Sequence, residues 1–259
     1  MTEPNPSEMR VTTHDDAGVR LLTLSRPAKK NAFDVLQATQ LWAAIEAASA
    51  DPSVKVLALS AEGDYFSGGA DVGIFMNIAS YTPSDLAKVA RLFEPLRACK
   101  KPKIAIVQGH SVGMGVTILP HFDLVYAADH VTFTTPFVRL GLVLEYGSAH
   151  TLSRLIGAQR AKELILRAAP LDAKTAEAWG LVTRTFGSDS LMTESMRIAR
   201  EIAEHPAGAL VECVRLIDAG MDATFDATVA LEDAALASRY GSQENVEAIT
   251  KMMAARAKR

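Results

Sequence analysis

Residues 104–115 read Ile104-Ala105-Ile106-Val107-Gln108-Gly109-His110-Ser111-Val112-Gly113-Met114-Gly115. Four consecutive apolar residues suit a strand covered on both faces. The glycines that follow break it into a turn, and an apolar stretch to about Pro120 reads as helix. The same grammar stands upstream. Val54–Leu59 is a second buried strand, Gly63-Asp64-Tyr65-Phe66-Ser67-Gly68-Gly69-Ala70-Asp71 is its glycine loop, and one helix is predicted from about Pro83 to Cys99. Strand, glycine loop and helix thus occur twice, which places the first half of the chain in the α/β class.

Working outward, Val11–Thr13 and Val19–Leu24 are β-type runs around Asp15-Asp16-Ala17-Gly18 and predict a hairpin. Residues 34–50 carry apolar positions at helical spacing up to Asp51-Pro52, and Asp123–Ala127 is a further strand. Beyond about Glu145 the pattern turns helical, over 145–156, 159–168, 173–179, 189–204, 207–219, 222–239 and 243–258, with a strand-like break at Gly180–Phe186. We divide the chain into an α/β core, 1–195, and a C-terminal helical oligomerisation region, 196–259. Residues 1–8 read as a loose tail.

The 259 residues are 49% apolar and 22% charged, enough for a substantial core. The 27 basic and 30 acidic side chains nearly balance, so charge gives no reason to expect a nucleic-acid or membrane partner. Cys99 and Cys213 stand far apart, and the six histidines form no ligand spacing, so no metal site is expected. The N-terminus lacks a secretory pattern and no apolar run is long enough to span a bilayer; the expected location is cytoplasmic.

The glycine loops carry the chemistry. Glycine lets a ligand approach the main chain, and a helix start presents unpaired N–H groups. Neither loop is a GxGxxG fingerprint or a P-loop. Two such loops side by side could aim two N–H donors at one oxygen, an oxyanion hole in which each donor is worth about 2.7–4 kcal/mol of barrier. The plainer alternative is a pair of tight turns.

At these residues the sequence resembles the crotonase, or enoyl-CoA hydratase/isomerase, family, over roughly Val11 to Arg256. Arg26-Pro27-Ala28-Lys29-Lys30-Asn31-Ala32 is similar to the segment along the CoA nucleotide, Phe66–Asp71 to the first oxyanion loop, and Gly109–Gly115 to the second. Thr134-Thr135-Pro136-Phe137, Leu140-Gly141-Leu142 and Gly157 continue the match. The resemblance implies a crotonase-like (ClpP/crotonase) fold of repeated ββα units with a helical C-terminal region, assembled as a homotrimer or dimer of trimers. It implies an acyl-CoA thioester as substrate, with no separate cofactor and no metal. Ala70 and Met114 would donate their N–H groups to the thioester oxygen, while Lys30, Asn31, Ala32, Gly68, Gly69, Asp71 and Val72 would line the CoA path.

Hydratases of this family add water with two glutamates; the matching positions here are Thr117 and Phe137. Hydration needs one group to activate water and another to deliver a proton, and neither residue serves. Glu145, in Leu142-Val143-Leu144-Glu145-Tyr146-Gly147-Ser148, matches instead the single base of the Δ3,Δ2-enoyl-CoA isomerases, with Leu144 and Tyr146 in place of the Pro and Gly often seen there. One carboxylate suffices for a 1,3-proton shift, and apolar surroundings would raise its pKa toward neutrality. The alternative is an acid placed for a helix dipole.

His110, His121 and His150 read as structural histidines, Asp71 as a loop brace and Asp123 as a structural pair or cap. Arg256 and Lys258 could reach a neighbour's CoA. The leading reading is an enoyl-CoA isomerase. The alternatives are a hydratase, hydrolase or lyase of the same fold, and a non-catalytic acyl-CoA-binding protein.

Overall fold

A computed structural model describes residues 9–256; the expectations for residues 1–8 and for Lys258 lie outside them. β1 (Val11–Asp16) and β2 (Val19–Leu24) form the expected antiparallel hairpin, turning through Ala17 and Gly18, both at positive φ. β1 is longer than predicted because Asp15 and Asp16 stay in register with Arg20 and Val19.

β2 continues into a parallel sheet with β3 (Val56–Ala61), β5 (Lys103–Val107), β7 (Leu124–Ala128) and β10 (Arg184–Phe186), in the order β1-β2-β3-β5-β7-β10. β3 and β5 are buried at every position, which explains their unbroken apolar runs. α1 (Val35–Ala50) covers one face with Ala38, Leu41, Ile45 and Ala48, and starts where the Asp34 carboxylate accepts the Gln37 N–H. α9 (Leu191–Ala203) packs against β2, β3, β5, β7 and β10.

A second sheet was not legible in the sequence. β4 (Tyr65–Ser67), β6 (His110–Val112), β8 (Thr132–Thr134) and β9 (Leu171–Asp172) pair in that order. The chain alternates between sheets: β3 then β4, β5 then β6, β7 then β8. These are repeated ββα units, and both glycine loops leave the short sheet at the ends of β4 and β6.

The predicted helix from Pro83 to Cys99 is two, α3 (Pro83–Ala90) and α4 (Phe93–Ala98). Pro95 is the cause, since its ring excludes the helical carbonyl four residues back, at Arg91. Between the loops and these helices lies α2 (Val72–Met76), and after the second loop α5 (Met114–Thr117), only four residues long, passes into a 3-10 turn at Leu119–His121. The helix predicted from Glu145 begins three residues later, as α6 (Ser148–Ile156), because Tyr146 and Gly147 are left-handed, at φ 55° and 68°.

α7 (Ala158–Arg167) and α8 (Ala173–Trp179) follow, then α10 (Ala207–Gly220), α11 (Phe225–Arg239) and α12 (Gln243–Arg256). These last three bury only Ala235. Ile217, Phe225 and Leu236 lie exposed on them, and Tyr240 just after α11. Among the described residues no helix is long and apolar enough to cross a membrane.

Candidate active site

The first donor loop is held by its neighbour in the sequence reading, the segment Lys30–Phe33. Gly68 N–H donates to the Lys30 carbonyl (2.7 Å), Phe33 N–H to that of Gly69 (2.8 Å), and Asp71 N–H to that of Phe33 (3.0 Å). Ser67 Oγ donates to the Asn31 carbonyl at 2.9 Å and accepts from Gly69 N–H at 3.1 Å. The residues flanking Ala70 are therefore paired with Phe33 as in a parallel bridge, which turns the Ala70 N–H to the opposite side.

The two loops touch through their backbones. A Cβ placed on Gly69 would stand 2.7 Å from the Val112 carbonyl oxygen and 3.3 Å from Met114 N, and Gly69 has φ 90°. A Cβ on Gly115 would stand 2.6 Å from the Ser67 carbonyl oxygen. No other residue fits at either place. Met114 opens α5, where a first-turn N–H has no helical acceptor. Among the described residues neither the Ala70 nor the Met114 N–H donates to a protein group. Two donors without a protein acceptor thus stand on touching loops.

Asp71 caps α2 by accepting the Gly73 N–H (2.8 Å) and pairs with Arg26 at 2.6 Å. Arg26 also reaches Asp34 (3.3 Å) and donates to the Ala32 carbonyl (3.0 Å), so it braces the loop from outside; its pairing was invisible in sequence. Although burial acts most strongly on Asp71 and in the opposite sense, the hydrogen bonds from Arg26 and Gly73 hold its carboxyl below the usual range. It is thus ionised and occupied.

The expected CoA-path residues divide. Lys30 is exposed, with its ammonium over the Tyr65 ring at 4.7 Å, and Val72 is exposed at the start of α2. Gly68 lies against Lys30, and Ala32 beside it is half-buried. Asn31 is fully buried. Its side chain donates to the Glu62 and Tyr65 carbonyls (2.8 and 2.7 Å) and accepts from Arg26 N–H (2.8 Å), so it builds the wall.

Glu145 meets Thr117 on α5, the helix that follows the second loop. Burial raises its pKa from 4.5 to about 7, against a hydrogen bond with the Thr117 side chain that lowers it. No charged group contributes to this shift. The Thr117 side chain, at a hydratase-glutamate position, thus stands beside the Glu145 carboxyl, and its hydroxyl donates to the Gly113 carbonyl at 3.5 Å. Phe137, at the other position, is buried, and its ring edge is 4.0 Å from a Cβ placed on Gly113. Glu145 stands before α6 rather than in its first turn, which holds no acid.

Sequence reasoning undervalued the support behind Glu145. Tyr146 is buried, and its hydroxyl donates to the Val89 carbonyl. Its own carbonyl lies 3.0 Å from His121 Nε2. A carbonyl only accepts, so Nε2 carries the proton. Burial depresses the His121 pKa from 6.5 to about 4, leaving it neutral at pH 7. Phe93 fills the space between them, stacked on His121 and tilted against Tyr146, each at 5.2 Å.

His110 Nδ1 accepts the Thr132 N–H at 3.1 Å, tying β6 to β8, and His150 contacts Arg154 at 2.9 Å. Asp123 pairs with Lys103 at 3.0 Å and accepts its N–H at 2.6 Å. Among the described residues no group of His, Cys, Asp and Glu could hold a metal ion.

Comparison with known proteins supplies independent information. The family described as "Enoyl-CoA hydratase/isomerase" matches residues 14–258. The chain is 33% identical to enoyl-CoA delta isomerase 2 of Homo sapiens across 97% of its own length and 64% of that protein's. It is 35% identical to the peroxisomal enoyl-CoA delta isomerase 3 of Mus musculus across 72% of its length and 59% of the relative's. It thus spans less than two thirds of these relatives. A solved enoyl-CoA hydratase from Mycobacterium marinum superposes with a TM-score of 0.71 at 31% identity, covering 78% of this chain and 96% of that one.

Proposed function

Because the chain belongs to the enoyl-CoA hydratase/isomerase family, we propose that it moves the double bond of a 3-enoyl-CoA to the 2-position, with Glu145 as the single acid–base group. The thioester oxygen sits between the Ala70 and Met114 N–H groups. Glu145 takes a proton from C2, and the electron pair moves through the carbonyl to give an enolate, whose charge falls on the two amides. The protonated carboxyl then delivers the same proton to C4, so nothing is oxidised and no water is consumed. A base whose pKa lies near neutrality serves both directions of transfer. The substrate brings its own CoA, so the reaction requires no separate cofactor.

The observation that carries this reading is the Thr117–Glu145 pair: one carboxyl, facing the helix that bears a donor, where hydration would need two. Glu145→Gln keeps the shape and removes the base. The expected result is loss of 3-enoyl to 2-enoyl conversion with acyl-CoA binding retained; conversion at the native rate refutes the proposal. The likeness to a hydratase motivates the rival, which rapid hydration of crotonyl-CoA would establish.

The apolar side chains left exposed on α10, α11 and α12 support assembly with further copies of the chain. A homotrimer or a dimer of trimers is expected from light scattering.

A further inference from the structure

The segment that begins at the Met114 donor does not end its work at Thr117. It runs on through the 3-10 turn to His121, and both residues reach the loop of the base. Thr117 bonds the Glu145 side chain, and His121 bonds the carbonyl of the next residue, Tyr146. Tyr146 has φ 55°, a conformation that a bulky side chain adopts only when its surroundings compel it. Three contacts do so here: the hydroxyl on Val89, the ring on Phe93 and the carbonyl on His121. On the other side Leu142 and Val143 are exposed, 45% and 83%, so the loop has solvent to turn into.

We infer that His121 is a positioning residue for Glu145: by donating from Nε2 to the Tyr146 carbonyl it holds the left-handed turn that keeps the carboxyl inside the site. The inference rests on Glu145 being the base only for its effect on rate; the position of the carboxyl is a separate observable. His121 acts through the backbone and touches no reacting atom. Its ring must therefore be a donor at Nε2 and flat against Phe93, which a neutral imidazole provides.

The test uses the full-length protein with 13C-labelled glutamate carboxyls. The Glu145 resonance is identified by its loss in Glu145→Gln, and its titration midpoint is followed by NMR. In the native protein the midpoint is expected near 7. His121→Met removes the donor and keeps an apolar filling. The midpoint then moves down toward 4.5, the value of a solvated glutamate, and kcat on a 3-enoyl-CoA falls at least tenfold while KM stays within twofold. His121→Gln restores an N–H donor and returns the midpoint toward 7. Should His121→Met not fold, Phe93→Leu withdraws the stacking surface and lowers the midpoint in the same direction. An unmoved midpoint in a folded His121→Met or Phe93→Leu protein overturns the inference. If Glu145→Gln isomerises normally, the reading of the base fails, yet the midpoint still decides whether His121 positions that carboxyl.

Discussion

Glu145→Gln should alter folding stability in a pH-dependent way that no surface substitution would reproduce. The native protein keeps a proton on Glu145 up to about pH 7, whereas the unfolded chain releases it near 4.5. Between those values the native state binds more protons, so stability falls as pH rises. At 1.36 kcal/mol per pH unit the interval amounts to about 3 kcal/mol. His121 has the opposite slope: unfolded it takes a proton below 6.5, folded only below about 4, so its contribution rises with pH between those values. The two therefore oppose each other from about pH 4.5 to 6.5, and the native profile shows little of either. Glutamine removes one slope and exposes the other. Urea denaturation at intervals from pH 4 to 8 measures both proteins, and their difference isolates Glu145. The variant should gain on the native protein by about 3 kcal/mol between pH 4.5 and 7, the same linkage interval, and no more above it. A difference that stays flat across that range would refute the burial argument and, with it, the matched base.

Other expectations follow from the same geometry. The rate of isomerisation should rise with pH through about 7 as Glu145 loses its proton, and a limb near 4.5 would mean a solvated carboxyl. Thr117→Val removes the hydrogen bond that lowers the Glu145 pKa, so the acidic limb should shift upward in a pH–rate profile; a downward shift would contradict the pairing. Gly69→Ala should be costly on two counts, roughly 1–2 kcal/mol for the left-handed backbone and about 1–3 kcal/mol for overpacking, because its Cβ meets the Val112 carbonyl at 2.7 Å. Denaturant midpoints check the sum, and native stability in that variant would contradict the contact between the loops.

The parts of the fold that could be read in sequence are those whose signal is local. β3 and β5 announce themselves as apolar runs, and Asp51-Pro52 and Gly180 mark the ends of α1 and α8. β4, β6, β8 and β9 could not be read, because two or three residues cannot display an alternation and glycine interrupts the first two pairs. The site follows the same division. The donor loops are visible because close backbone approach demands glycine, as at Gly69 and Gly115. Glu145 is visible through its motif. Its support is not, since His121 and Tyr146 stand 25 residues apart and Phe93 lies on a helix of another part of the chain. The available clue was a single titratable residue inside Ile118-Leu119-Pro120-His121-Phe122, where a buried ring must find a partner.

The continuity of residues 113–121 bears on how one carboxyl would serve the proposed isomerisation. A proton shift between C2 and C4 requires one carboxyl to reach two carbons while the oxyanion stays fixed, so the separation of base and donor is what the protein must hold. Met114, Thr117 and His121 lie on one short helical run: Met114 carries an N–H without a protein acceptor, the Thr117 side chain meets Glu145, and the His121 imidazole meets the Tyr146 carbonyl. Any displacement of this run moves the donor and both supports of the base together, leaving their spacing intact. The glycines enforce the other half of the constraint: Gly115 against Ser67 and Gly69 against Val112 lock the run to the first donor loop. In this arrangement the left-handed Tyr146 has a purpose. Together with Gly147 it stops α6 short of Glu145, which leaves the carboxyl off the regular helix and beside the Thr117 side chain.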